Sequence, residues 1–547
     1  MTPTARRTAG IAGAAGMIAV VTLVARAVGF GRWLVFSHTV GSTCVGEVYA
    51  TANLLPNTLY EIAAGGALAA VVVPLVAGAL ADGDRDRADR AASAMLTWAV
   101  TILLPLAVLL AVVAGPLATA MVGDGGPDCP AQGAHDLGAT MIVIFAPQVL
   151  LYGVGITLSG VLQAHRRFLA AALAPLLSSI VVIASYAVYG GLAHGLGASP
   201  SALSSAAVTA LAGGTTLGVV ALSLPLLMPT ARAGIRLRPS WRFPAGMGRR
   251  ALGLATAGVL ALAAQQAAVL VTAWLSDHRG STGTLPVYQY VQAMYQLPYA
   301  VLAVPLATSA FPHLVARTHE VFVKTLPAVV AAGLLGTALL VAVAHPATGF
   351  FGALDASRTS GGTSAIDALE VGATAYAFGL PGFCTVALLL RTAYAAGRAW
   401  QGGALVAVGW LISAGLPFAF VGAGTHSAST TLEALGWSCA LGMTVAGAGL
   451  VWLVSRAWGM AVVRPAARTL AVGAVAGTAG AVLGVVVGRV AQPGGLLACA
   501  AVVVASATVT VLVYLAVLRV GDPATGRRLL STLRRLLPAG RAVVAHD

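Results

Sequence analysis

Apolar residues run in blocks of about twenty to thirty along the whole chain, and polar residues gather in the short gaps between them. The blocks fall near 8–31, 44–79, 90–114, 137–163, 167–193, 202–228, 249–275, 284–315, 325–345, 367–397, 401–423, 430–455, 467–488 and 494–519. In helical form each block is long enough to cross a hydrocarbon core of about 30 Å. The pattern therefore predicts an all-α polytopic membrane protein with about fourteen transmembrane helices. No small-residue cleavage site follows the first block and another begins at once, so it reads as a retained helix and not as a signal peptide.

Composition agrees. Of 547 residues, 58% are apolar and only 9% are charged, far below the roughly one-quarter that a soluble surface requires. The formal net charge of +14 raises the question of nucleic acid, and the placement of the charges answers it. With the N-terminus inside, alternate loops hold twenty-five of the thirty-one basic residues, from Arg6 and Arg7 to Arg534, Arg535 and Arg541. The opposite loops hold only Arg279, Arg358 and Arg489. This is the positive-inside pattern, and it places both termini in the cytoplasm. The charge marks topology and attraction to anionic lipid, not nucleic acid. Cys44, Cys129, Cys384, Cys439 and Cys499 lie far apart with no disulfide framework in view, and they read as small buried hydrophobes.

The chain also echoes itself. VYATANLLPNTLYEIAAGGALAAVVVPLVA (Val48–Ala77) and VYQYVQAMYQLPYAVLAVPLATSAFPHLVA (Val287–Ala316) both begin Val-Tyr, carry a mid-span proline (Pro56, Pro298) and end with a proline before Leu-Val-Ala. SGVLQAHRRF (Ser159–Phe168) against RTAYAAGRAW (Arg391–Trp400) is a weaker pair. An offset of six spans preserves orientation, so two six-helix lobes related by a parallel pseudo-twofold are expected, as in alternating-access transporters. The lobes would be 1–230 and 231–460. Residues 461–520 form an added helix pair, and 521–547 an amphipathic cytoplasmic tail with Leu529, Leu530, Leu533, Leu536 and Leu537 on one face.

Few ionisable residues lie inside the spans, and an intramembrane charge is a functional-site candidate by default. Arg26 is about five residues inside the outer end of span one, too deep for easy snorkelling, and its guanidinium fork suits a phosphate in a cavity. Arg32, at that end, either snorkels to headgroups or pairs with Glu47, which opens span two. Glu61 is a buried neutral carboxyl or a partner of Arg26. Arg391 lies about 10 Å from the inner surface and either snorkels or lines the cavity. In span eight Tyr288, Gln292, Tyr295 and Gln296 share a helix face, able to meet a polar head group or to bond neighbouring helices. Gly473, Gly477, Gly480, Gly484 and Gly488 form a close-packing stripe on span thirteen. No metal cluster, phosphate loop, nucleophile elbow or paired catalytic carboxylates stand out. An enzyme is not expected, nor any cofactor.

The run ARAVGFGRW followed by GEVYATANLLPNTLYEIAAGGALAAVVVPLV resembles the opening of the MurJ (MviN) lipid II flippases of the MOP superfamily. FAPQVLLYGVGITLSGVLQAHRRFLAAALAP (Phe145–Pro175), YAVLAVPLATSAFPHL (Tyr299–Leu314) and AYAFGLPG (Ala375–Gly382) extend the resemblance over the first ten helices in order. It implies a central cavity between the lobes and a polyprenyl-tail groove at the last two helices. It also implies flipping of an undecaprenyl- or decaprenyl-linked glycan precursor to the outer leaflet, driven by membrane potential or an ion gradient. Arg26 and Arg32 match the family's arginines of span one, Glu47 its acidic residue of span two, and Asn57 lies in its Leu-Pro-Asn. The chain departs from the family pattern with Tyr60, Glu61 and Gly65 after that motif, and with Gln292, Ala293 and Gln296 in span eight. Spans seven and eleven carry no acid for a sodium site. Alternatives are an exporter of another lipid-linked sugar or amphiphile, or a transport-inactive scaffold for cell-wall synthesis proteins.

Overall fold

A computed structural model describes residues 3–62, 66–123, 129–193, 199–244, 247–315, 319–357, 365–491 and 495–536. Among the described residues every regular element is helical, with no strand. The chain forms two compact units, residues 1–262 with 355–363 and residues 263–354 with 364–547.

The first unit holds α1 (Pro3–Thr39), α2 (Cys44–Tyr60), α3 (Gly66–Ala81), α4 (Arg85–Val112), α5 (Ala114–Met121) and α6 (Ala131–Phe145). It continues with α7 (Pro147–Ala164), α8 (Phe168–Ala193), α9 (Ser205–Val208), α10 (Gly214–Ser223) and α11 (Leu227–Arg232). Helix α12 (Met247–Arg279) passes from this unit into the next. There follow α13 (Thr284–Pro298), α14 (Val304–Val315), α15 (His319–Leu354), α16 (Leu369–Ala377), α17 (Leu380–Ala395) and α18 (Ala399–Gly415). The chain ends with α19 (Pro417–Phe420), α20 (Ala428–Trp458), α21 (Arg464–Val490), α22 (Leu496–Gly521) and α23 (Pro523–Leu536). Polar side chains start several of them: the Thr43 hydroxyl accepts from Gly46 N at 3.1 Å, and Asp84 accepts from Arg87 N at 2.8 Å. Each satisfies an amide that has no partner inside its own helix.

Ten helical segments are long and apolar enough to cross a membrane, and an eleventh is the pair 365–377 and 380–395, bent by 46°. The other three expected spans are 44–79, which holds α2 and α3; 249–275, part of α12; and 284–315, which holds α13 and α14. Large apolar side chains stand exposed on the apolar helices, among them Val112 at 75%, Leu497 at 85% and Val520 at 85%. A soluble protein does not carry such surfaces, whereas lipid solvates them. The chain is a multi-pass membrane protein.

The two echoing segments both contain π-helical residues. In the first, residues 61–62 are π-helical; in the second, Tyr299–Ala303 are. Counted from Val48 and Val287, the two wide turns fall at matching positions. A π-turn adds one residue to the helix and often marks a functional place.

The cysteine expectation needs correcting. Cys44, at the start of α2, is disulfide-bonded to Cys129, before α6, with Cα atoms 5.3 Å apart across 85 residues of sequence. Only Cys384, Cys439 and Cys499 are free, all buried. Sequence spacing does not reveal a pair so distant; the packing of α2 on α6 creates it.

In the second unit α21 packs between α15 and α22 along its glycine stripe, as the stripe predicts. A Cβ on Gly480 would come within 2.9 Å of Thr510 O, and one on Gly484 within 2.6 Å of the Ala342 methyl. Helix α23 does more than lie on a surface. Leu529 is 1% exposed and packs with Leu302, Leu335, Ala476, Tyr514 and Leu518, while the Arg528 guanidinium donates to Lys324 O at 2.9 Å. Side chains from Leu533 onward, including Leu536 and Leu537 of the expected apolar face, lie outside the described ones.

Candidate substrate site

The first unit carries most of the candidate residues. Arg26 lies on α1 with its side chain exposed. Arg32, a turn and a half further on, is half-buried, its guanidinium 5.6 Å from the Trp33 ring centroid. An aromatic face is a favourable neighbour for a cation and keeps it oriented. Trp33 in turn meets Phe36 edge-on at 5.9 Å, and Phe36, fully buried, packs on Tyr49 and Tyr186.

Beneath these rings runs a chain of hydroxyls. Tyr49 Oη is 2.9 Å from both Tyr186 Oη and Thr215 Oγ1, and Thr215 Oγ1 donates to Leu211 O at 2.7 Å. Each hydroxyl has one proton, so the terminal bond fixes the order: Tyr186 donates to Tyr49, Tyr49 to Thr215, Thr215 to the carbonyl. This relay joins α2, α8 and α10, and through Phe36 it seats the part of α1 that bears Arg32.

The Arg32 guanidinium lies within electrostatic range of the Tyr49 and Tyr152 hydroxyls. Glu61 is within the same range of Tyr60 and Tyr152, and the Tyr60 and Tyr152 rings sit 5.2 Å apart. Tyr152 of α7 thus feels the charges of both Arg32 and Glu61. Sequence reasoning passed over Tyr152; its signal is a phenol in the middle of an otherwise apolar block, inside FAPQVLLYGVG. Glu61 is half-buried in the π-turn after α2, and its amide bonds back to Asn57 O and Thr58 O. The Asn57 side chain is exposed. Glu47 is 7% exposed in the first turn of α2, where the helix dipole favours a carboxylate.

The second unit carries a separate, uncharged cluster. The Tyr288 hydroxyl of α13 lies near the polar groups of Gln292, of Thr272 of α12 and of Tyr376 of α16, and the Tyr288 and Tyr376 rings are 5.9 Å apart. Tyr295, 3% exposed, is stacked on Phe383 at 5.5 Å, and its hydroxyl finds no hydrogen-bond partner among the described residues. It belongs to the core of the unit. Gln296, one residue on, is exposed. Tyr299 packs on Phe383 at 4.2 Å and lies within electrostatic range of Arg391. Arg391 is half-buried and donates to Ala387 O of its own helix. Among the described residues no group of three or more His, Cys, Asp or Glu is arranged to hold a metal ion.

Chemically, the first cluster offers a guanidinium, a carboxyl and two phenols, a set able to hold an anionic, hydroxyl-rich group. The second offers amide and phenol donors without charge.

Comparison with known proteins identifies the lineage. Residues 36–513 match the family "Lipid II flippase MurJ". A probable lipid II flippase MurJ of Synechocystis sp. is 29% identical over 251 residues, 45% of this chain and 45% of that protein. The counterpart in Rhizobium meliloti is 27% identical over 301 residues, 54% of this chain and 52% of its own length. The chain spans about half the length of the curated relatives it matches. A solved lipid II flippase MurJ in an inward closed conformation superposes with a TM-score of 0.69 at 15% identity, over 92% of this chain and 98% of that one. An inward-facing multidrug-resistance MATE transporter of the MOP superfamily superposes at 0.61 and 14% identity, over 82% and 99%. The likeness in fold thus extends across both units, and the family match covers most of the sequence: the chain belongs to the MurJ lipid II flippase family.

Proposed function

We propose that this protein moves a polyprenyl-pyrophosphate-linked glycan, with lipid II the first candidate, from the inner to the outer leaflet by alternating access. The match to the flippase family over residues 36–513 carries this reading. The first-unit cluster supports it: Arg32, braced by Trp33, and the exposed Arg26 bind the phosphates, while Glu61 and Tyr152 accept from and donate to the sugar. Gln292 and Tyr288 of the second unit meet the uncharged part of the head group. Residues 461–520 take the polyprenyl tail.

The termini are cytoplasmic in this reading. Two independent features support that orientation: the basic residues of alternate loops, and the Cys44–Cys129 bond, which falls between connections on the opposite, oxidising side. An interior-negative membrane potential favours outward passage of an anionic head group by about 2.3 kcal/mol per charge for every 100 mV. No resident ion is required for that step. Cell-wall synthesis proteins are the natural partners on either side of it.

The test is rescue of a bacterial strain depleted of its own lipid II flippase. The intact chain restores growth, whereas Arg26→Ala and Gln292→Ala abolish rescue at unchanged protein level. Native mass spectrometry of co-purified lipid then reads the head-group mass. A mass other than that of lipid II, with no rescue by the intact chain, transfers the assignment to another lipid-linked amphiphile. Rescue unaffected by both substitutions overturns the transport role of the cluster.

A further inference from the structure

A buried carboxylate outside the substrate site stands directly after α15. Asp355 is 3% exposed. Its Oδ1 accepts from Ser42 Oγ at 2.8 Å, from Ser42 N at 3.1 Å and from Ser357 N at 3.1 Å. Its Oδ2 accepts from Ser37 Oγ at 3.1 Å and again from Ser42 N at 3.2 Å. Ser357 Oγ lies 3.1 Å from Ser42 Oγ. The backbone fits as closely: Gly41 has a φ of +68°, and a Cβ there would lie 2.8 Å from Ala356 N. Only glycine lets residues 355–357 sit against the α1–α2 turn in this way.

Three features together give this contact a role beyond packing. It grips the ends of the two helices that bear the substrate site, since Ser37 is five residues after Arg32 and Ser42 five before Glu47. The gripping residues, 355–357, belong to the first unit, while α15 before them and α16 after them belong to the second. The four donors to it among the described residues are hydroxyls and amides, which water replaces one for one. Such a contact is specific when closed and open to exchange with solvent.

We propose that Asp355 is a releasable clasp on the α1–α2 turn: closed, it sets the register of Arg32 and Glu47, and it opens in each transport cycle. The proposal rests on the transport reading above, and its test separates the two. Ser42→Cys with Ser357→Cys places two thiols where the hydroxyls are 3.1 Å apart, and peptide mapping confirms that Cys44–Cys129 remains paired. The protein is reconstituted in liposomes with fluorescently labelled lipid II, and flipping is read with a membrane-impermeant quencher. The cross-linked variant fails to flip, and reductant restores flipping, while the native chain in the same reductant stays active. Flipping at full rate with the cross-link intact overturns the clasp.

Amide hydrogen exchange gives a readout independent of substrate. In the native chain the Ser42 and Ser357 amides exchange at least about tenfold faster than those of Tyr49 and Ala52 inside α2, the mark of a local opening below global unfolding. The cross-link erases the difference, and Asp355→Asn enlarges it. If the native chain does not flip lipid II, the transport reading fails and exchange alone decides the clasp. Protection at Ser42 equal to that inside α2 overturns it.

Discussion

The hydroxyl relay beneath Arg32 gives the sharpest quantitative prediction. Tyr49→Phe removes one oxygen that serves two bonds, accepting from Tyr186 and donating to Thr215, each at 2.9 Å. The ring itself keeps its packing against Phe36, Phe145 and Tyr186, so no cavity opens. Tyr186, 4% exposed, loses the Tyr49 oxygen as its hydrogen-bond partner at 2.9 Å. Thr215 still donates to Leu211 O and loses only what it accepted. A buried hydrogen bond contributes about 1 kcal/mol, so the loss of two costs about 2 kcal/mol, or a midpoint lower by roughly 4–8 °C for a unit of this size. Tyr186→Phe removes the donor at the end of the relay, leaves Tyr49 bonded to Thr215 and costs about 1 kcal/mol. In the double variant the Tyr49–Tyr186 bond is lost only once, so its cost stays close to that of Tyr49→Phe alone, about 1 kcal/mol short of additive. Thermal unfolding of the four proteins in one detergent, followed by tryptophan fluorescence, completes the cycle. Strict additivity, or a Tyr49→Phe effect below about 0.5 kcal/mol, refutes the hydroxyl relay.

Further predictions concern the packing, the disulfide and the cytoplasmic corner. Gly484→Ala drives a methyl into Ala342 and Thr510 and costs about 1–3 kcal/mol, whereas Gly191→Ala, with nothing within 4 Å, costs no more than an ordinary surface change; thermal unfolding compares the pair. Reducing Cys44–Cys129, which closes a loop across 85 residues, lowers stability by about 2–4 kcal/mol, and Cys44→Ser makes the midpoint indifferent to reductant. At the α22–α23 corner, burial raises the Asp522 carboxyl, but hydrogen bonds from Thr469 and Thr525 and the charge of Arg468 outweigh it and hold it below the usual carboxylate range. A carboxyl depressed on folding stabilises fully above its unfolded value, about 3.9, and that contribution is lost as pH falls toward the lower folded value. Thr469→Val therefore shifts the acid unfolding midpoint to higher pH, read by unfolding across an acid titration.

Membrane character, the approximate number of spans, the echo between residues 48–77 and 287–316 and the glycine stripe could all be read along the chain. Each is set by a local period or length: the thickness of a hydrocarbon core, or the spacing of positions on one helix face. Arg26, Arg32, Glu47 and Glu61 stood out for a related reason, because a charge in an apolar block is conspicuous wherever it points. The fold alone decided that Tyr152 lies within electrostatic range of both Arg32 and Glu61, that Tyr295 is core while Gln296 is exposed, and that Cys44 meets Cys129. It also brought Asp355 to Ser42 across 313 residues of sequence. Those pairings depend on which helices pack together, and a hydrophobic pattern says only that a helix must be buried in lipid or protein, never against which neighbour.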